Sequence, residues 1–400
     1  QVGRKGDVAL GHIYFDVDSA GTEIRGIDSE EQFRAINANR YGNYVLNRDI
    51  YYGKAYATPT NTKSNYAWNW NIGSFFGDLD LQGHTLHKIN EGYMFDAVGS
   101  VAKKQGSIRN GTIWFDYDRT KTWNYNYFFG NNYGTLENLN FRIAINDPKA
   151  GGENSYDRRN WKGLNGTMIS ANYGTIRNFT VNYEKELGSA RWAGLIGYNY
   201  SLVENGYAYG EGVRGGYYVG GIIAYNTTSG TARYLYSTID SRSNDSKYDD
   251  LWDYRTYYNG TIIGRNSGKA YGLLATGNVY TYTTTITGGN YEFDNEIIYN
   301  AKGCAIGITD TRMDTKDCYY ATVGNNSRVD YAVDSKNERV EGGMLTDASW
   351  YKETFGTQCF DSHLEKLLSD GYYPWVDMGA AAEKYNIKQP YLELTIGTGG

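Results

Sequence analysis

Leu195-Ile196-Gly197-Tyr198-Asn199 is the stretch on which the fold turns, because Ile222-Ile223-Ala224-Tyr225-Asn226 repeats its plan 27 residues later. Met168-Ile169-Ser170-Ala171-Asn172 and Ile262-Ile263-Gly264-Arg265-Asn266 follow the same plan: apolar, apolar, small, any residue, Asn. Phe128-Phe129-Gly130-Asn131-Asn132 is a fifth copy, and Gln105-Gly106-Ser107-Ile108-Arg109-Asn110 reads as a degenerate sixth. After Asn132 and Asn172 a short turn leads to a second apolar strand carrying Asn138 and Asn178. From Asn132 onward the key asparagines stand 40, 27, 27 and 40 residues apart. The unit is therefore 27 residues, and two copies carry the same excess of 13. Both excesses fall on polar stretches, 146–160 and 240–254, which predicts surface loops.

A period in this range signals a solenoid, a propeller or an array. The copies are rich in Tyr, Thr, Ile and Val, dense in Gly and Asn, and lack a 3.6-residue apolar period, which excludes a helical solenoid. Short strands with polar turns and one unit near 27 residues predict an all-β chain: a parallel β-helix solenoid with one coil per repeat. Coils stack ~4.8 Å apart, so equivalent side chains lie above one another and stacked asparagines can hydrogen-bond along the stack. The small residue before each Asn is expected to make room for a tight corner, where Gly tolerates positive φ. Period alone leaves open which member of each apolar pair faces inward, since a one-residue slip exchanges the faces.

The exposed ends of such a stack need caps. Residues 27–36 read as a short amphipathic helix, with Ser29 and Gln32 as a capping box and Phe33 and Ile36 on one face. Residues 347–351 and 362–368 read as two more short helices, so both ends are expected to be closed. The organisation predicted is a cap with entry strands over 1–60, repeats over 61–340, and a cap with the start of a linker over 341–400.

Composition narrows the function classes. Of 400 residues, 50 are Gly and 41 are Tyr, while 40% are apolar and 21% charged, which suits a packed core and not a disordered chain. Scarce proline and the lack of a three-residue glycine period exclude collagen. No apolar run approaches the ~20 residues of a membrane-spanning helix, so no membrane insertion is expected. A net charge of −6 without a basic stripe argues against nucleic acid as a partner. Cys304, Cys318 and Cys359 match neither a disulfide framework nor a zinc pattern, although Cys304 and Cys318 could pair. The start at Gln1 reads as a mature product or an excised fragment, and no cofactor is expected.

Several segments resemble the GLUG-repeat family of bacterial surface proteins. Gly194-Leu195-Ile196-Gly197-Tyr198-Asn199 resembles the motif that names the family. Residues 43–50 and 76–86 are similar to its entry strands, and Cys318-Tyr319-Tyr320 and Gly371-Tyr372-Tyr373-Pro374 to its closing segment. The resemblance spans residues 27–378 and implies a right-handed β-helix on secreted or wall-attached proteins. These include adhesins and non-catalytic regions of large immunoglobulin-A protease-like enzymes. It transfers no catalytic residue.

Catalytic chemistry finds little support in the residues. His84 and His87 stand three apart in a predicted strand, where they face opposite ways, and no His-Glu-x-x-His stretch exists. Asp245, Asp249, Asp250 and Asp253 lack a calcium-loop pattern, and Asp78 and Asp80 share one strand face. Solvated acids account for both sets, and the chain is read as a binding module without catalysis.

Aromatic presentation is the more distinctive signal. Tyr-x-Tyr pairs at 125/127, 198/200, 207/209, 234/236 and 280/282 are expected to show both rings on one face. A narrow coil interior cannot hold 41 tyrosines, so many rings are expected outside, mostly as ladders between strands. Those beside the long loops are the candidate binding residues: Trp123, Tyr125, Tyr127, Trp161, Trp252, Tyr254, Tyr257 and Tyr258. The expectation is an extracellular adhesion module, part of a larger wall-attached or secreted chain, that binds a host protein or glycan. A substrate-positioning region of an immunoglobulin-A protease-like enzyme and a β-helix polysaccharide-degrading enzyme are the alternatives.

Overall fold

The structure, a computed structural model, describes residues 15–17, 23–53, 72–89, 94–117, 129–145, 165–188, 192–215, 218–243, 258–275, 278–284, 295–302, 306–309, 318–320 and 337–339, and nine positions from 347 to 369. Among these residues the strands form three sheets, and nearly every pairing is parallel. The chain visits the sheets in rotation. Asn165–Asn172 lies in one sheet, Thr175–Tyr183 in a second and Leu187–Gly188 in a third. Trp192–Asn199, Leu202–Gly210 and Val213–Gly215 then revisit the same three, each strand beside its predecessor. Ile223–Asn226, Thr231–Ser237 and Ser241–Ser243 make the next round.

Pairing follows the spacing of the asparagines. Asn132 aligns with Asn172, Asn172 with Asn199, Asn199 with Asn226, and Asn226 with Asn266. Each of the first four donates from Nδ2 to Oδ1 of the next, at 2.8, 2.9, 2.8 and 2.7 Å. All five are completely buried. Each Nδ2 also reaches a carbonyl of the following coil (Thr175, Leu202, Thr231 and Lys269 in turn). The amide thus supplies what a buried corner lacks, donors for carbonyls and an acceptor for turn N–H groups such as that of Ser201.

A second asparagine ladder runs the other way. Asn138 donates to Asn110, Asn178 to Asn138 and Asn205 to Asn178, at 2.9, 3.2 and 2.7 Å. The degenerate copy at 105–110 therefore belongs with the second strand of the unit, and Asn110 stands opposite Asn138, not Asn132. These four asparagines hold left-handed backbone, with φ of 62°, 54°, 52° and 51°. Asn tolerates that region because its short side chain bonds locally. The ladder stops where the next coil carries Tyr234 at φ 54°. Asn205 Oδ1, in a residue 2% exposed, is left there without a donor.

Positive φ falls on the asparagines of the second ladder, whereas the small residue of each repeat, expected to take it, does not. Gly197 does not adopt it. A Cβ on Gly197 would stand 2.5 Å from Ser170 O, so close approach of neighbouring coils explains this glycine. Both members of each apolar pair are buried: Leu195 with Ile196, Ile222 with Ile223, and Ile262 with Ile263. The core is one continuous column of such side chains, from Ile27 to Ala275.

At the N-terminal end the helix Glu30–Ala35 forms as expected. Ser29 Oγ accepts from Gln32 N, and Phe33 and Ile36 are fully buried. The reciprocal bond is displaced by one residue, since Gln32 Oε1 accepts from Asp28 N. At the other end residues 348–350 are helical, as are 352, 353, 365, 368 and 369. The two 13-residue insertions fall largely outside the described residues.

Candidate functional site

Two columns of aromatic rings emerge from the stacking. The first occupies the turn that follows each ladder asparagine, where the chain passes between two sheets. Asn132-Tyr133, Asn172-Tyr173 and Asn199-Tyr200 place one tyrosine per coil at the same corner. Tyr133 and Tyr173 stack with centroids 4.9 Å apart and planes 9° from parallel. Tyr173 and Tyr200 stack at 4.6 Å and 3°. That separation matches the coil spacing, so the inner ladder dictates the outer one. All three rings are half-buried. Burial raises the Tyr173 phenol above its ordinary value, and the Tyr200 and Tyr133 phenols beside it add to the shift.

The second column lies on the adjoining sheet. Tyr198 and Tyr225 are register partners at 5.8 Å, and Trp192 and Tyr218 at 5.6 Å. Trp192 meets Tyr198 edge-on at 4.3 Å, and Tyr218 packs on Tyr225 at 5.3 Å. Arg265, one coil further, sets its guanidinium 5.0 Å from the Tyr225 centroid and donates to the Tyr218 hydroxyl at 3.1 Å. Tyr198 and Tyr200, 5.9 Å apart, join this patch to the corner column. Each ring contact is worth about 0.5–1.5 kcal/mol beyond burial, so the side chains hold one another in place.

The expectation for Tyr-x-Tyr pairs holds at 198/200 and at 207/209, where the rings lie 5.1 Å apart. It fails at 234/236, because the left-handed backbone at Tyr234 breaks the alternation, and both rings are buried. Tyr183 is buried as well, its hydroxyl donating to Gly221 O at 2.6 Å. The interior therefore holds more tyrosine than its expected width suggested. Among the tyrosines whose side chains are described, Tyr41 and Tyr51 are the exposed ones.

Buried phenols give the chain an alkaline limit. Burial pushes Tyr207 up to about 12, Thr238 opposing slightly, and pushes Tyr183 and Tyr209 up further. A phenol harder to ionise when folded leaves stability intact below its unfolded value of 10.0 and removes it as pH rises toward the folded value. Tyr207 alone is expected to withdraw about 2–3 kcal/mol between those limits. Phenolate absorbance should rise in two phases, the second coinciding with loss of the β-sheet circular dichroism signal.

A line of alternating charge runs along the sheet that contains Thr135–Ile143. Asp80, Arg109, Glu137, Arg177, Glu204 and Arg233 are successive register partners, each just before the residue with left-handed backbone except Asp80, which stands two before Gln82. Arg109 takes both Asp78 and Asp80, at 2.9 and 3.0 Å. The carboxylate pair on one strand face is thus engaged by a guanidinium rather than solvated. Arg177 grips Glu137 through Nη2 at 2.7 Å and Nε at 2.8 Å, and Arg233 grips Glu204 at 2.6 and 2.7 Å.

His84 and His87 diverge: His84 approaches Asp49 at 3.4 Å, whereas His87 stacks on Trp114 at 4.1 Å and meets Asp116 at 3.1 Å. Among the described residues no cluster of His, Cys, Asp and Glu could hold a metal ion. No described helix is long and apolar enough to cross a membrane.

Trp123, Tyr125, Tyr127, Trp161, Trp252, Tyr254 and Tyr257 lie outside the described residues, as do Asp245, Asp249, Asp250, Asp253, Cys304 and Cys359. Tyr258 begins the strand Tyr258–Gly260, beside Tyr218. The aromatic patch among the described residues consists of residues inside the repeat. Its signal was present in the sequence, since Tyr follows the ladder Asn in three consecutive copies and precedes it in two.

No protein-family model matches the chain, and no curated protein matches it in sequence. Among solved structures, a candidate immunoglobulin A1 protease from Bacteroides ovatus covers 86% of this chain and 92% of its own, at 12% identity and a TM-score of 0.40. A likeness that weak leaves the question of activity to this chain's own residues.

Proposed function

We propose that the chain is a right-handed parallel β-helix of an extracellular bacterial protein, and that it binds a protein partner through the lateral patch of Trp192, Tyr198, Tyr200, Tyr225 and Arg265, which the buried Tyr218 supports from beneath. The rotation of the chain through three parallel sheets supports the architecture. The observation that carries the binding reading is the pre-ordered cluster itself. It consists entirely of Trp, Tyr and Arg, the residue types that dominate hot spots in protein–protein interfaces. Mutual stacking removes much of the side-chain entropy that binding otherwise costs. Hydroxyls at the ring tips supply directional hydrogen bonds, as in antibody paratopes.

The test is binding of the full chain to immobilised matrix proteins and immunoglobulins, with a glycan array alongside. Exchange of Trp192 and Tyr198 together for Ala is expected to weaken the captured protein about thirtyfold, a loss of about 2 kcal/mol. Circular dichroism should stay unchanged. Affinity indifferent to that exchange, or capture by glycans alone, would overturn the assignment.

A further inference from the structure

We infer that the corner column Tyr133–Tyr173–Tyr200 is a site of oxidative modification, at which neighbouring phenols become joined by a carbon–carbon bond. Coupling of two tyrosines needs their rings in contact, their hydroxyls accessible to an oxidant and an ortho carbon of one ring close to one of the other. The column brings such rings into contact at a partly exposed turn. The rings lie within 9° and 3° of parallel with centroids 4.9 and 4.6 Å apart, so ring carbons of one lie against ring carbons of the next. The Tyr173 phenol is influenced by the phenols of both neighbours, which raise it further above its ordinary value. All three residues are half-buried at a turn, so each keeps part of its surface open to solvent.

A second pair serves as an internal control. Tyr207 and Tyr236 stack with similar geometry, 4.7 Å and 13°, but they are 6% and 2% exposed. Tyr41 is exposed, yet its stacking partner is Phe76, which has no phenol to form the second radical. Of these three stacks the corner column alone joins paired phenols to partial exposure, and the half-buried pair Tyr198 and Tyr200 lies farther apart and less parallel, at 5.9 Å and 29°.

The oxidant is hydrogen peroxide acting through a haem peroxidase. One hydrogen atom leaves each phenol hydroxyl, and the peroxide is reduced to two waters. The two phenoxyl radicals then join ortho carbon to ortho carbon. Each joined carbon passes its hydrogen to its own phenol oxygen, which restores both aromatic rings. The product lacks two hydrogen atoms and ties one coil to the next across a closed loop of chain, 173 to 200 or 133 to 173. Constraint of the unfolded chain by such a loop favours the folded state, as for any covalent cross-link.

The test treats the dilute full chain with peroxidase and hydrogen peroxide, then maps cross-linked peptides by mass spectrometry and follows dityrosine fluorescence. The expected result is a dominant intramolecular bond between Tyr173 and either Tyr200 or Tyr133. Tyr173→Phe, which keeps the stacked ring and loses the phenol, should lower the fluorescence several-fold. Tyr207→Phe should leave it unchanged. Cross-links concentrated on other tyrosines or between chains, no cross-link at all, or a yield indifferent to Tyr173→Phe would each overturn the inference.

Discussion

Asn199→Leu is expected to destabilise the protein by about 4 kcal/mol, because the change strands several buried polar groups at once. Asn199 Nδ2 donates to Asn226 Oδ1 and to Thr231 O, while its Oδ1 accepts from Asn172 Nδ2 and from Ser201 N. Leucine shares the branching of asparagine but is bulkier and satisfies none of these, and the site is completely buried. Asn199→Asp should do comparable damage despite near-identical shape. Its second oxygen would face the Asn226 and Thr231 oxygens in place of a donor. Because coils interact only with their neighbours, the break also weakens coupling between the two halves of the stack. Urea unfolding followed by circular dichroism checks the size of the effect, and a midpoint within a few tenths molar of the parent would contradict it.

The second large effect concerns the charge ladder. Glu204 sits between Arg177 and Arg233, and its side chain is only 3% exposed. Glu204→Lys would place three cations in consecutive register positions and abolish the two-point grip of Arg233. Loss of a buried partner of this kind costs about 3–5 kcal/mol, reduced here toward the lower figure because the Arg233 side chain is 19% exposed. Glu204→Gln, which keeps a hydrogen-bond acceptor, should cost about 2 kcal/mol. High salt screens repulsion among the partly exposed cations, so the gap between the two variants should narrow as ionic strength rises. An unchanged gap would mean that packing, not charge, governs the position.

The alternation of sign also sets pairing. A coil displaced by one residue along this sheet would move every acid and base out of line and would turn Leu136, Leu139, Phe141 and Ile143 away from the core. Two asparagine ladders and one charge ladder therefore specify the same register independently. Agreement of that kind is what separates one stacked structure from its slipped alternatives.

The ladder positions were readable before any coordinates. Intervals of 27 and 40 residues name the partners of Asn132, Asn172, Asn199, Asn226 and Asn266, and all four pairings occur. The alternating charges were equally open to view, since Arg109, Glu137, Arg177 and Glu204 each precede an Asn. The candidate aromatics beside the insertions, Tyr258 apart, lie outside the described residues, and the tyrosines of the repeat stand apart from them. Loops attract such assignments because they carry function in many proteins. Here stacking orders the rings, and stacking is a property of neighbouring coils that no single strand reveals.

What the amino-acid order determined by itself was period, class and register, because a repeat of equal spacing records which residues must lie above one another. What only the folded molecule decided was orientation. Inward positions run Leu136, then Leu139, Phe141 and Ile143, a step of three followed by steps of two. The left-handed backbone at Asn138 inserts that extra residue, as it does at Asn110, Asn178 and Asn205. A strand read by strict alternation loses its phase at such a point. Such a bend leaves Tyr234 buried, whereas the turn after Asn199 holds Tyr200 half-exposed against Tyr173. Composition counted the tyrosines; the path of the backbone sorted them into core, ladder and surface.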